Sequence, residues 1–317
     1  MSKTAGSPQT GSSARRKNRY ESKKNWAIFS LAAPAVVSIF VFCYMPMFGL
    51  FIAFKNINYT KGIFGSDWCG LNNFQFFFQS QDAFRVTRNT LLYNLAFIFL
   101  GLGLAILIAI ALYDLSAKYV KVFQTVLFMP YFLSWIIVGF VAYILLNPSA
   151  GVLNQILSIF GVEEINWYTT PIAWPFIIVF FYLWKILGYN AIIFYTGLMG
   201  IDESLYEAAR IDGASRFQQK IYITLPMLKS LVIIMVVLAV GKIMFADFGL
   251  FYYIPKNTGS LYAMTDVIDT YVYRALRVVG DIGMSAAASF YQSVIGFLLV
   301  MGTNLIIRKI SPEDAIF

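Results

Sequence analysis

Polar and apolar positions are unevenly divided along this chain. Residues 1–25 are polar and rich in Ser, Gly, Lys and Arg, and the remainder of the chain is largely long apolar stretches broken by short polar ones. A helix needs roughly 20 apolar residues to cross a bilayer. Six runs reach that length, at about 27–54, 90–112, 122–146, 172–198, 229–253 and 282–307. The pattern predicts an all-α polytopic membrane protein with six transmembrane helices, because helices satisfy their own backbone polar groups in lipid. Residues 1–25 read as a disordered basic tail, too poor in apolar residues to build a core, and 26–317 as one transmembrane domain. The competing reading of the start is a secretory signal. The run from Ala27 to Phe54 is too long for one and shows no clear cleavage site.

The polar interruptions are informative. Leu71-Asn72-Asn73-Phe74-Gln75-Phe76-Phe77-Phe78 is too polar to cross but aromatic enough to lie along the membrane interface as a short amphipathic helix. Gly283, Ser285, Ala286, Ala287, Ala288 and Ser289 form a run of small residues that allows close helix packing in the last span. The loop at 199–228 has internal structure. Ser204 with Glu207 has capping-box spacing, so a short helix is expected from there to Gly213, whose freedom to adopt a left-handed conformation suits a C-terminal cap. Ser215 and Gln218 repeat the spacing for a second short helix, and Pro226 suits the opening of the next span. Leu205, Phe217 and Ile221 are the expected anchors to the transmembrane helices, and Ala208, Ala209 and Ala214 keep the outer face low. Helix, bend and helix make either a rigid knob for a partner's groove or a structured connector.

Charge orients this picture. Fifteen Lys and Arg lie on the side of the N-terminus and seven on the other, with Lys185 and Lys242 inside spans. Positive residues gather on the cytoplasmic side, so both termini are expected there. That asymmetry accounts for the formal charge of +8 without invoking nucleic acid. Hydrophobic residues make up 59% and charged residues 13% of the chain, which contains no His. The commonest general base and metal ligand is therefore missing, and Cys43 and Cys69, one in an apolar run and one in a loop, suggest neither a disulfide framework nor a metal cluster. No Gly-x-x-x-x-Gly-Lys-Ser/Thr phosphate loop occurs, and the one Gly-Lys pair, Gly241-Lys242, lies in an apolar run. The energy for any transport must come from another subunit or an ion gradient.

From Glu207 to Pro226 the chain resembles the signature of the integral-membrane permeases of binding-protein-dependent ATP-binding-cassette importers. That signature is Glu-Ala-Ala, three residues, Gly, nine residues, Ile, one residue, Leu-Pro. Glu207, Ala208, Ala209, Gly213, Ile223, Leu225 and Pro226 all fall in place. Tyr44-Met45-Pro46-Met47-Phe48-Gly49, Met129-Pro130-Tyr131-Phe132-Leu133-Ser134-Trp135 and the stretch Asp266 to Arg274 are similar to the sugar-importer branch, particularly permeases for complex oligosaccharides of Gram-positive bacteria. The resemblance implies the six-helix transmembrane domain of a type I importer in a bacterial plasma membrane. It makes Glu207 to Gly213, with Asp212, a coupling helix that docks into an ATPase. The implied partners are a homologous second permease, an ATP-binding-cassette ATPase dimer and an extracellular solute-binding protein. This chain would hold no cofactor, ATP and Mg being bound by the ATPase.

Polar residues at membrane depth are costly and tend to face a cavity. They single out Trp184, Lys185, Tyr189 and Asn190 in the fourth span and Lys242 and Asp247 in the fifth as candidates for the substrate pathway. In the family it resembles, the helices flanking the coupling loop line that pathway. An aromatic belt and a snorkelling lysine are the plainer readings. Lys185 and Lys242 together would favour an acidic sugar. Asp247 is the one carboxylate that the pattern places inside a span. Two rivals remain: an ion-gradient carrier, which calls for inverted repeats and interrupted helices around an ion site, neither of which the sequence shows, and a membrane-embedded enzyme, for which the chain supplies little.

Overall fold

A computed structural model describes Trp26 and residues 28–310, so the tail expected at 1–25 lies outside the described residues. The chain divides into two compact units, Met1–Phe51 and Ile52–Phe317. The first holds most of α1, the helical run Ile28–Phe54. Pro46 has no N–H to donate, and the helix widens to a π turn at Phe40–Tyr44 before tightening to a 3-10 form.

The second unit opens with a small antiparallel hairpin, β1 (Lys55–Asn56) against β2 (Asp67–Trp68), with Lys55 opposite Trp68. The expected amphipathic helix comes next as α2 (Asn72–Gln79), then the long α3 (Gln81–Tyr113). After these come α4 (Ala117–Phe128), α5 (Trp135–Leu146), α6 (Trp174–Met199) and α7 (Glu203–Ile211). The order ends with α8 (Lys229–Val240), α9 (Phe248–Tyr253), α10 (Ile268–Arg274) and α11 (Ile282–Ile310).

The expected spans at 27–54, 90–112, 172–198 and 282–307 are single helical runs, whereas those at 122–146 and 229–253 are interrupted. In the third span α4 gives way to a 3-10 turn at Met129–Phe132 that contains Pro130, and α5 leaves at 98° to the preceding run. Ser134 caps α5 by accepting a hydrogen bond from the Ile137 N–H at 3.3 Å. The fifth span bends by 54° at Leu228 and loses its helix altogether after Val240, where Gly241 to Met244 form a turn. Hydropathy does not register these breaks, because their surroundings stay apolar on average while the backbone leaves the helix.

The core lies along the α3–α6 contact. Among the buried positions of α3, Val86, Thr90, Tyr93, Phe97, Gly101, Ala105, Ala109 and Leu112 form a stripe at steps of three and four, with Ala83, Asn89 and Leu102 buried as well. Phe97 stacks on Tyr182 of α6 with ring centres 3.7 Å apart. Past Phe97 the stripe narrows to Gly101, Ala105 and Ala109 before Leu112, which lets the helices close on one another in the absence of a hydrophobic drive within lipid. The small residues of α11 serve the same purpose: Ala287 and Ala288 are fully buried, and Ser285 donates to the Val272 carbonyl of α10 at 3.2 Å. α2 is held in place by Asn73, whose amide donates to the carbonyls of Ala53 and Lys55 at 3.0 and 3.1 Å.

Gly188 marks where α6 meets the third-span break. A Cβ there would run into the Leu127 carbonyl, which is backbone and cannot swing aside. Gly188→Ala is therefore expected to destabilise the protein by about 1–3 kcal/mol, read as an earlier thermal transition in detergent. An unchanged transition would show that α4 can back away from α6.

Candidate functional site

The loop between α6 and α8 begins with Asp202. Its carboxylate accepts from the Ser204 N–H at 2.9 Å and caps α7, and this bond holds the carboxyl below its ordinary pKa range. The cap therefore lies two residues before the expected Ser204, which is already inside the helix. α7 ends as expected at Gly213, with φ of +80°. The Ala214 N–H donates to the Ala209 carbonyl at 2.9 Å and the Gly213 N–H to the Arg210 carbonyl at 3.1 Å, the paired bonds of a Schellman cap. The box at Ser215 and Gln218 forms in both directions, at 3.3 and 2.7 Å. Pro226 does not open a new helix. It lies within a helical run that starts at Arg216, just after a π turn at Lys220–Thr224, the kind of local widening that absorbs a missing N–H.

The inward face of the loop differs from expectation. Leu205, Phe217 and Ile221 are exposed. The anchor is Tyr206, buried in a cluster with Ala109, Leu198 and Leu228, its hydroxyl 3.0 Å from that of Thr224. Lys220 forms an ion pair with Asp114 beyond the end of α3. Of the signature residues, Glu207, Ala208, Asp212, Gly213, Leu225 and Pro226 are exposed, Ala209 is half-buried, and Ile223 packs against the Tyr206 cluster. Two residues for which the sequence pattern implied no outward role join the exposed patch: Ile211 at 85% exposure and Phe217 at 73%.

At the third-span break, Lys185 does not snorkel. It is 7% exposed and donates to the carbonyls of Tyr131 at 2.7 Å, Pro130 at 3.4 Å and Leu133. The Pro130 carbonyl also accepts from the Leu133 N–H at 3.1 Å, whereas those of Tyr131 and Leu133 are acceptors that the break removes from helical bonding, and the ammonium satisfies them. In the fifth span, Asn94 donates to the carbonyls of Ile243 and Phe245 at 2.9 and 3.2 Å, and Gln292 to that of Met244 at 2.7 Å. The Ala246 N–H donates to Asp269 at 2.7 Å.

The two breaks meet. Trp135, the first residue of α5, donates its indole N–H to Asp247 at 2.6 Å, while the other Asp247 oxygen caps α9 through the N–H groups of Gly249 and Leu250 at 3.0 and 3.4 Å. Lys185 lies 5.3 Å from the Trp135 ring centre. Tyr189 stacks on Tyr131 at 4.7 Å with ring planes 9° apart. Lys185, Tyr189 and Asp247 are thus brought into one neighbourhood. Trp184 is exposed on the same helix, packing edge-on to Phe181, and Asn190 is half-buried. Lys242 is exposed on the turn and makes no ion pair with Asp247 among the described residues.

Asp247 is exposed at this junction, and the more enclosed carboxylates lie elsewhere. Asp269 braces the fifth-span break, and Asp266, fully buried, binds Arg85 at 3.1 Å and Arg274 at 2.6 Å. Both lie outside the apolar runs, which is why hydropathy passed over them. Chemically, the junction offers open aromatic faces that suit the C–H faces of a sugar ring, and a carboxylate that accepts hydroxyl protons. Lys185 has its donors engaged by carbonyls, which leaves Lys242, among the described candidates for the pathway, as the cation free to meet an acid.

Residues 121–312 match the model of a family described as the binding-protein-dependent transport system inner membrane component. The chain belongs to that family. Among curated relatives, the permease is 30% identical to Protein LplB of Bacillus subtilis (strain 168) over 92% of this chain and 91% of LplB. It is 32% identical to the polygalacturonan/rhamnogalacturonan transport system permease protein YteP of the same organism, over 90% of this chain and 89% of YteP. A solved bacterial ABC transporter involved in the import of the acidic polysaccharide alginate superposes with a TM-score of 0.85 at 29% identity, covering 93% of this chain and 99% of that one. A second structure of the alginate transporter, in complex with an alginate pentasaccharide-bound periplasmic protein, gives 0.84 at 29% identity, over 92% and 97% of the two chains. The permease does have interrupted helices, so their absence no longer argues against an ion-gradient carrier. Family membership is what separates the two readings.

Proposed function

We propose that the permease forms half of the translocation pathway of an ATP-driven importer for a sugar or oligosaccharide, and that the loop at 207–226 couples it to a separate ATPase. The observation that carries this reading is the signature loop, folded as a capped helix, bend and helix with Glu207, Ala208, Ile211 and Gly213 at its surface. A partner groove closing on that patch would move α7. Tyr206–Thr224 and Lys220–Asp114 then pass the motion to the fifth-span run and to α3. The fifth span leads to Asp247, so a shift of the loop reaches the junction with Trp135. The partners in this reading are a homologous second permease, an ATP-binding-cassette dimer that holds ATP and Mg, and an extracellular solute-binding protein. The charge asymmetry favours both termini in the cytoplasm. The names of YteP and the alginate transporter, together with the rings around Asp247, support an oligosaccharide cargo, with Trp184, Lys185, Tyr189, Asn190, Lys242 and Asp247 along its route.

The test is reconstitution in liposomes with the ATPase, second permease and binding protein encoded beside it, and then uptake of labelled uronate and neutral oligosaccharides. Uptake is expected to need ATP and loaded binding protein and to ignore ion gradients. Gradient-driven uptake by this chain alone would overturn the reading.

A further inference from the structure

Behind the coupling loop lies a cavity of about 550 Å³, bounded by the C-terminal end of α3, the inner face of α7 and the start of the fifth-span run. Glu203, Tyr206 and Arg210 line it from one face of α7, at the i, i+3, i+7 spacing. Asp114 lines it from beyond α3, and Arg216 and Lys220 from the far side of the Gly213 bend. Three cations thus meet two carboxylates. Lys220 is paired with Asp114, while the Arg210 and Arg216 guanidiniums have no hydrogen-bond or ion-pair partner among the described residues. Two unpaired guanidiniums facing one cavity match the oxygen geometry of a phosphate group, which Arg binds in bidentate fashion. The volume lies within the range of about 300–1,000 Å³ typical of small-molecule sites, which leaves room for an organic body attached to the phosphate.

We propose that this cavity binds a phosphate ester, either a phospholipid headgroup or a free phosphomonoester, between Arg210 and Arg216. An occupant there ties α7 to the second loop helix across the Gly213 bend, in a cavity that Glu207, Ala208 and Ile211 do not line. It would restrain the loop without competing for the docking surface. Binding does not depend on what the importer carries, so the site can fail while the proposed transport function stands.

Two probes that share the phosphate ester are used on the whole complex in dodecyl maltoside micelles, which contain no phosphate. One is sn-glycerol 3-phosphate measured by calorimetry, and the other is phosphatidylglycerol counted as retained lipid by native mass spectrometry. At least one is expected to bind, and Arg210→Gln/Arg216→Gln to weaken it by at least about tenfold through loss of two charge-assisted contacts. Glu203→Gln, which removes an opposing charge, is expected to tighten it, a gain that general damage to the loop would not produce. Binding of glycerol 3-phosphate identifies a soluble ligand, and retention of phosphatidylglycerol alone identifies a lipid. If neither probe binds, or the double variant binds as the unaltered protein does, the proposal is wrong.

Discussion

Gly213→Pro is expected to lower ATP-dependent uptake by about a hundredfold while the ATPase stays attached, as read by co-purification alongside transport. Gly213 holds φ at +80° and donates its N–H to the Arg210 carbonyl. Proline fixes φ near about −65° and has no N–H, so both halves of the cap are lost, at a cost of about 3 kcal/mol, roughly two orders of magnitude in the population of the native loop. Gly213→Asn is the matching control. Asn tolerates the left-handed region, keeps the N–H, and should retain uptake within about threefold. Normal import by the proline variant would mean that this bend does not couple the subunits.

Lys185→Met is expected to be the most damaging single change inside the spans. The substitution keeps the length and flexibility of the stem and removes the ammonium. The carbonyls of Tyr131 and Leu133 then lose their donor at membrane depth, while that of Pro130 keeps the Leu133 N–H. A buried group left unsatisfied costs about 1–3 kcal/mol, so the loss exceeds what one side-chain contact would suggest. The expected result is an earlier thermal transition in detergent together with loss of transport. Lys185→Arg, which restores donors, should recover part of both. A Lys185→Met protein that melts normally and only binds cargo more weakly would show that this lysine contacts substrate rather than closing the break.

These two residues also show where the sequence was legible. Gly213 could be read locally, because a left-handed cap depends on a few neighbouring residues and the capping box at Ser215 lies beside it. The role of Lys185 could not, because its partners are backbone carbonyls some fifty positions earlier in the chain. The same holds for Asn94, Asp269 and Gln292 at the second break. A window of side-chain hydropathy averages Ser134 and Lys242 into their apolar surroundings, sees both spans as continuous, and has no term for a backbone bonded elsewhere. The loop's inward face was misjudged for a different reason. Leu205 outranks Tyr206 as an apolar anchor, yet adjacent helical positions point about 100° apart, and Tyr206 can be buried because its hydroxyl reaches Thr224.

The contact between Trp135 and Asp247 governs how the spans can yield. One oxygen of Asp247 is occupied by the backbone N–H groups that start α9, and the indole holds the other. A newcomer that brings a hydroxyl proton to that second oxygen must share or displace the indole. The seam between the two broken helices can then be unfastened by trading one proton donor for another, with no covalent change and no ion carried across the lipid.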